Sequence, residues 1–367
     1  VQGSEEAELE SLIALLRSIC ETPAPTFHEE ARGALVADKL RRAGLEVERD
    51  EVGNIVAALP GGAGPRVLVA AHLDTVFSAE TDVRVRGTHR RLSAPGIGDN
   101  SASLSVVLRY VEKVAAAEED APRPRLTVAA TVGEEGLGDL RGIRELMASR
   151  AQAFDLVVAV DGHLGTIVDQ GVGSKRYRAT YRAQGGHSWG DYPSPSAIHA
   201  LGDAIHALNA MTVPREPKST YNVGQIQGGT SINAIAEEAF LTLDLRSVDA
   251  KVLAKLEQGA LERLKRAAER HRVRLELEQV GDRPTASVDN RALVAAAEAA
   301  LEEVGVASRR VASSTDANAA MAAGLPAIAF GVYKGGDAHR VSEWLEPVSL
   351  LVGYRALRAL LKRLAAL

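Results

Sequence analysis

The sequence has one cysteine, Cys20, in 367 residues, so an internal disulfide framework is excluded. Cys20 falls on the apolar face of a helical stretch with Leu12, Leu15, Leu16 and Ile19, where a buried thiol is expected, and a reducing, cytoplasmic setting suits it. Basic residues are not in excess: Lys and Arg number 43 against 48 Asp and Glu, for a net charge of -5. No basic stripe marks the chain, which argues against a nucleic-acid partner. No apolar run approaches the roughly 20 residues of a membrane helix. The stretch Val1–Glu10 is acidic and has no basic segment leading into an apolar one, so it does not read as a secretory signal. Low-complexity segments and internal repeats are also absent.

The hydrophobic content, 46% over this length, suffices for more than one core, and two domains are expected. Helical spacing of Leu and Ile runs from Glu5 to Ile19, and a second helix is expected near 29–43. Four short, continuous apolar runs follow, at 66–72, 126–132, 155–161 and 326–331. Such runs read as strands covered on both faces, with helices near 101–117, 139–149 and 290–304 between them. The fold class is therefore α/β, a mainly parallel sheet sandwiched by helices. The rhythm changes in the middle. Strand patterns at 175–183, 221–228, 238–246 and 273–280 alternate with helices at 196–211 and 248–272. That β-α-β-β-α-β order is ferredoxin-like and predicts an α+β domain inserted at 175–286 between 1–174 and 287–367.

Several expected strands end at an acid or a histidine. The first ends in His72, with Asp74 two residues on; the second leads into Glu134-Glu135; the third ends in Asp161; His339 lies in a loop after the fourth. Ligands of open α/β sheets bind outside the carboxyl ends of the strands, so these groups should share one crevice. Clustered carboxylates raise one another's pKa, and bound cations relieve that cost. Imidazole and carboxylate without thiolate suit zinc, and also manganese or cobalt. Asp99, in Gly98-Asp99-Asn100, stands before a helix and can reach two metals at once. Each piece alone has a plainer reading. Asp99 or Ser101 fits a helix cap, Glu134-Glu135 a solvated loop, Asp161 a turn and His339 the surface. The set as a whole points to a metal site.

These motifs resemble the co-catalytic metallopeptidases that include peptidase T, aminoacylase, carboxypeptidase G and succinyl-diaminopimelate desuccinylase. The similarity extends over nearly the whole chain, which implies a zinc-exopeptidase-like fold. It implies two divalent metal ions, Asp99 bridging them, Glu135 and His339 completing one site, His72 and Asp161 the other. Asp74 would orient His72, Glu134 would act as general base, and Asp99–Asn100 is where relatives often carry a cis peptide. In the insert, His187 of Gly185-Gly-His-Ser matches a histidine that holds an oxyanion, often in the partner subunit's site. Asn233 matches a substrate-contacting asparagine; Arg246 resembles a recurrent family arginine, for which an ion pair is the expected role; Thr315 or Asp316 would line the substrate pocket. A turn role for Asn233 and a helix cap at 313–318 remain open alternatives. The aspartate at 161 and the Gly-Gly-His-Ser-Trp stretch look closest to the peptidase T-like branch. They imply an aminopeptidase or small-peptide exopeptidase. The insert has a strand-and-helix face suited to self-association, so a homodimer through it is expected, with the insert as lid and closure near 174 and 286. The alternatives are an N-acyl-amino-acid amidohydrolase of deacylase or desuccinylase type, and an inactive metal- or peptide-binding module.

Overall fold

The computed structural model describes residues 2–119 and 121–367. The chain divides into two compact units, Val1–Gly171 with Ser287–Leu367, and Val172–Ala286.

The first unit is built on an eight-stranded sheet. Its order is Glu48–Arg49, Ile55–Ala58, Arg125–Thr131, Arg66–His72, Leu156–Val160, Ala327–Phe330, Thr166–Gly171 and Arg309–Ser313. The four central strands run parallel, in register from Arg66↔Arg125 to His72↔Thr131 and from Ala327↔Val157 to Phe330↔Val160. They are apolar and almost wholly buried, as a sheet covered on both faces requires. Each fully buried Leu or Val contributes about 1.5–3 kcal/mol. Helix Gln2–Cys20 packs Leu12, Leu16 and Ile19 into this core, beside Ser103–Ala115. The helix Pro347–Leu364 starts with proline at its first turn, where no N–H is missed, and buries Leu350, Leu357, Leu360 and Leu361.

A small antiparallel sheet joins Gly335–Gly336, Trp344–Leu345, Arg91–Ser93 and Arg86–Thr88. It makes the segment around His339 a hairpin and stitches that hairpin to the residues preceding Asp99 through Trp344↔Ser93 and Leu345↔Leu92.

The second unit has the order Gly173–Arg182, Ala197–Asn209, Ser219–Gly228, Glu238–Ser247, Ala250–His271, Arg274–Arg283. Its sheet, Ser219–Gly228 / Glu238–Ser247 / Gly173–Arg182 / Arg274–Arg283, is antiparallel throughout, a ferredoxin-like arrangement. Strand alternation puts Tyr177, Ala179, Tyr181, Leu241, Leu243 and Leu245 on one face, against Leu201, Leu208, Leu253 and Leu264 of the helices. Asp249 caps the long helix by accepting the Val252 N–H at 2.9 Å. The first strand begins at Gly173, ahead of the expected 175, because Ser174 and Gly173 already pair with Arg246 and Ser247.

Candidate metal centre

Parallel strands bring their carboxyl ends to one edge. There His72 closes the strand Arg66–His72, Glu134 and Glu135 follow Arg125–Thr131, and Asp161 follows Leu156–Val160. Asp99 enters from the loop before helix Ser103–Ala115, and the Asp99–Asn100 peptide is cis. Asn100 anchors this loop by donating from Nδ2 to the Val160 carbonyl at 3.1 Å. His339 enters from the hairpin.

The geometry centres on Asp99. Its Oδ1 lies 3.0 Å from His72 Nε2 and its Oδ2 3.2 Å from His339 Nε2. His339 Nε2 is also 3.0 Å from Glu135 Oε1. Donor atoms fall within 4.8 Å of one another in three groups: His72, Asp99 and Asp161; Asp99, Glu135 and His339; and His72, Glu134 and Glu135. The first two share Asp99. The five residues His72, Asp99, Glu135, Asp161 and His339 are thus brought together as two adjoining sets of groups that could hold a metal ion.

The donor chemistry fits divalent cations. The buried atoms His72 Nε2 and Glu135 Oε1 have no aligned hydrogen-bond partner although charged groups stand about 3 Å away. Lone pairs that converge without hydrogen bonding are what a metal ion satisfies. Charge balance points the same way. Burial, reinforced by Asp99, pushes Asp161 up to about 7. Asp99 and Glu135 raise His339 to about 11, so a protonated imidazole stands in for cationic charge. Burial opposes ionisation of Asp99, yet His339 and His72 hold its carboxyl well below the usual range. Burial likewise opposes protonation of His72, and Asp74 and Asp99 outweigh it to raise that histidine.

Asp74 is fully buried. Its Oδ1 lies 3.5 Å from His72 Nδ1, while its backbone carbonyl is closer to that nitrogen, at 3.0 Å. The carboxylate is chiefly occupied elsewhere: Oδ1 accepts the Glu134 N–H, and Oδ2 the Glu135 N–H and the Thr26 hydroxyl, all at 2.9 Å. It holds the Glu134-Glu135 loop as well as the histidine. Glu29 adds a second tether, accepting the Gly133 N–H at 3.0 Å while pairing with Arg141 at 2.7 Å.

Of the other expected residues, Asp316 is buried in the first unit and accepts the Thr131 hydroxyl at 2.6 Å. Thr315 is buried and its hydroxyl accepts the Ala317 N–H. His187, Asn233 and Arg246 belong to the second unit. His187 Nδ1 accepts the N–H groups of Trp189 and Gly190 at 3.2 and 3.3 Å, which leaves the ring proton on Nε2. Asn233 is exposed and accepts the Ser231 hydroxyl; Arg246 donates to Asp244 at 2.7 Å. His163 lies exposed, its ring 5.0 Å from that of Tyr333.

Sequence reasoning did not single out Glu343. This buried carboxylate, pushed up to about 7 by burial, accepts the backbone N–H groups of Gly96, Gly98 and Asp99. Its place four residues after His339 was the only available signal. Nor was Arg32 apparent, a fully buried guanidinium that donates to the carbonyls of Thr22 and Leu73 at 2.9 and 2.8 Å.

The chain is similar to known proteins in sequence and in fold. The cytosol non-specific dipeptidase of Escherichia coli (strain K12) is 27% identical over 285 residues, covering 66% of this chain and 55% of that protein, so the match spans little more than half of its length. Among solved structures, a tripeptidase from Staphylococcus aureus subsp. aureus mu50 superposes with a TM-score of 0.82 at 22% identity, covering 98% of this chain and 99% of the other. Aminopeptidase PepT from Bacillus cereus gives a TM-score of 0.78 at 21% identity, with 97% and 99% covered. These two share the fold. Residues 68–363 match Peptidase family M20/M25/M40, a span that takes in every residue of both ligand sets, and the chain therefore belongs to that family.

Proposed function

We propose that the protein is a metal-dependent exopeptidase that hydrolyses small peptides, as an aminopeptidase or a di- or tripeptidase. The observation that carries this reading is Asp99, whose two oxygens face His72 on one side and His339 on the other. In this reading Asp99, His72 and Asp161 would hold one cation, and Asp99, Glu135 and His339 a second. Divalent ions there, zinc by the imidazole-and-carboxylate chemistry, would supply Lewis acidity, lowering a water's pKa toward roughly 7 and polarising the scissile carbonyl.

The chain's own groups do the rest. Glu134, buried and held through its N–H by Asp74, takes the proton of the attacking water. It returns that proton to the leaving nitrogen, which departs poorly as an anion. His187 suits the developing oxyanion, because its tautomer presents Nε2–H as a donor. Asn233, Thr315 and Asp316 are assigned to substrate contact, with Asp316 the candidate acceptor for a free amino group. Arg246 is assigned to the same surface, although its Asp244 pair fits the structural role expected of it.

The insert is read as a lid and dimerisation module. Its strand Ser219–Gly228 pairs on one side with Glu238–Ser247, and no described residue pairs with its other edge. Ile226 on that strand is exposed, as are Trp189, Tyr192 and Ile232 of the same unit. A cytoplasmic setting agrees with the free, buried Cys20.

Purified protein reconstituted with Zn2+ is expected to cleave dipeptides and tripeptides, and Glu134→Gln to lose about 10²–10⁴-fold in kcat while retaining metal. Turnover confined to N-acetyl or N-succinyl amino acids would replace the peptidase reading by an amidohydrolase one. Metal uptake with no turnover of either set would leave a binding module.

A further inference from the structure

Glu343 is 1% exposed. Its Oε2 accepts the Gly96 N–H at 2.8 Å, and its Oε1 accepts the N–H groups of Gly98 at 2.8 Å and Asp99 at 2.9 Å. Its backbone carbonyl accepts the Ala94 N–H at 3.1 Å. The next two residues, Trp344 and Leu345, pair with Ser93 and Leu92. Glu343 thus holds the approach to Asp99 at four N–H groups, those of Ala94, Gly96, Gly98 and Asp99.

The approach is tightly shaped. Gly96 has φ of 72°, in the left-handed region that favours glycine. A Cβ on Gly98 would meet the Tyr333 ring at 2.5 Å. Successive N–H groups are thereby turned inward upon one acceptor. A buried carboxylate is expensive unless fully hydrogen-bonded, and among the described residues Glu343 makes no ion pair. A carboxylate can accept on both oxygens, whereas an amide offers one acceptor atom and two hydrogens that would oppose an N–H. The three bonds use that property of the carboxylate.

We propose that Glu343 is a positioning residue that presets Asp99 as the shared metal ligand. Holding the Asp99 N–H fixes the backbone from which the carboxylate reaches between His72 Nε2 and His339 Nε2. The same hairpin carries His339 four residues earlier, so one segment sets the spacing between a terminal ligand and the bridging one. The inference rests on the metal reading above, and its test separates the two.

Metal-stripped protein is titrated with Zn2+ against a chromophoric chelator, alongside a denaturant midpoint and kcat and KM for a peptide. The native chain is expected to take up two Zn2+. Glu343→Ala is expected to bind them about 10–100-fold more weakly, with kcat falling and KM little moved. Glu343→Gln, which retains one acceptor oxygen, is expected to lie between. Native affinity in folded Glu343→Ala overturns the proposal, even where its denaturant midpoint drops, because that pattern marks a residue serving the fold alone. Should Glu343→Ala fail to fold, native affinity in Glu343→Gln overturns it instead. A native chain that takes up no Zn2+ removes the metal reading itself.

Discussion

Both oxygens of Asp74 are committed, to two successive N–H groups and a hydroxyl. Asp74→Asn would turn an NH2 toward one of those N–H groups. It is expected to weaken Zn2+ binding about 10–100-fold, read by chelator competition. The metal-free protein should also lose about 1–3 kcal/mol, read by urea denaturation. Protons at the ligands give a pH signature. Asp161 retains its proton up to about 7 and His339 up to about 11, so both must release protons to bind metal. Zn2+ affinity should therefore weaken as pH falls below about 11 and more steeply below about 7, and calorimetry in buffers of different ionisation enthalpy should detect proton release. Without metal the signs reverse for folding. His339, raised above its ordinary 6.5, contributes stability that is complete below 6.5 and lost as pH rises through about 11. Asp161, raised above 3.8, costs the folded state increasingly between 3.8 and about 7. Metal-free protein should thus resist urea less well at pH 8 than at pH 5.

The candidate ligands His72, Glu135 and Asp161 stand out in sequence because they lie at or just beyond strands whose continuous apolar runs locate them unaided. Glu343 could not. Nothing in Val341-Ser342-Glu343-Trp344 distinguishes a solvated acid from one that accepts three N–H groups, since its partners are some 245 residues earlier in the chain. Arg32 was hidden likewise, as a charge in a charge-rich helix.

Among the elements, the central strands were plain and the peripheral ones were not. Thr166–Gly171 and Arg309–Ser313 mix polar and apolar residues because they lie toward one margin of the sheet, where burial is partial. Neither alternation nor a continuous run marks them. The junction between helix Gln2–Cys20 and strand Arg66–His72 depends on Arg32, which bonds Thr22 beyond the helix and Leu73 beyond the strand. Leu73 lies between His72 and Asp74, so this contact also braces the site. Arg32→Met keeps the apolar volume but strands those carbonyls. A loss of about 2–4 kcal/mol is expected in chemical denaturation of the metal-free protein. Gly98→Ala acts on the opposite side, where the added methyl would collide with Tyr333 and displace the Asp99 loop.

Across the whole molecule, two cores divide the work of folding. The insert's helices and sheet enclose Tyr181, Leu243 and Leu264, and the larger unit encloses Leu68, Val158 and Phe330. The β-α-β-β-α-β order of the insert was readable because its strands are amphipathic, alternating with a period of two, unlike the buried strands on either side. The self-association proposed for it makes a definite prediction. Native protein should show a dimer mass in light scattering, and Ile226→Lys, which places a charge on the exposed strand, should yield a monomer that still binds Zn2+. A native monomer would remove the dimer from the proposal.

The first and last strands of the insert are partners: Ser174 faces Arg283 across an antiparallel ladder. The chain therefore departs and returns at one seam, with its two crossing points only about 5 Å apart. A loop of a few residues would bridge that gap. Excising 174–283 and closing it with a short glycine-containing turn should leave the larger unit able to fold and to load metal, because every candidate ligand lies outside the excised stretch. Such a graft point would also accept a foreign module in the insert's place, provided the module supplies the oxyanion donor proposed at His187.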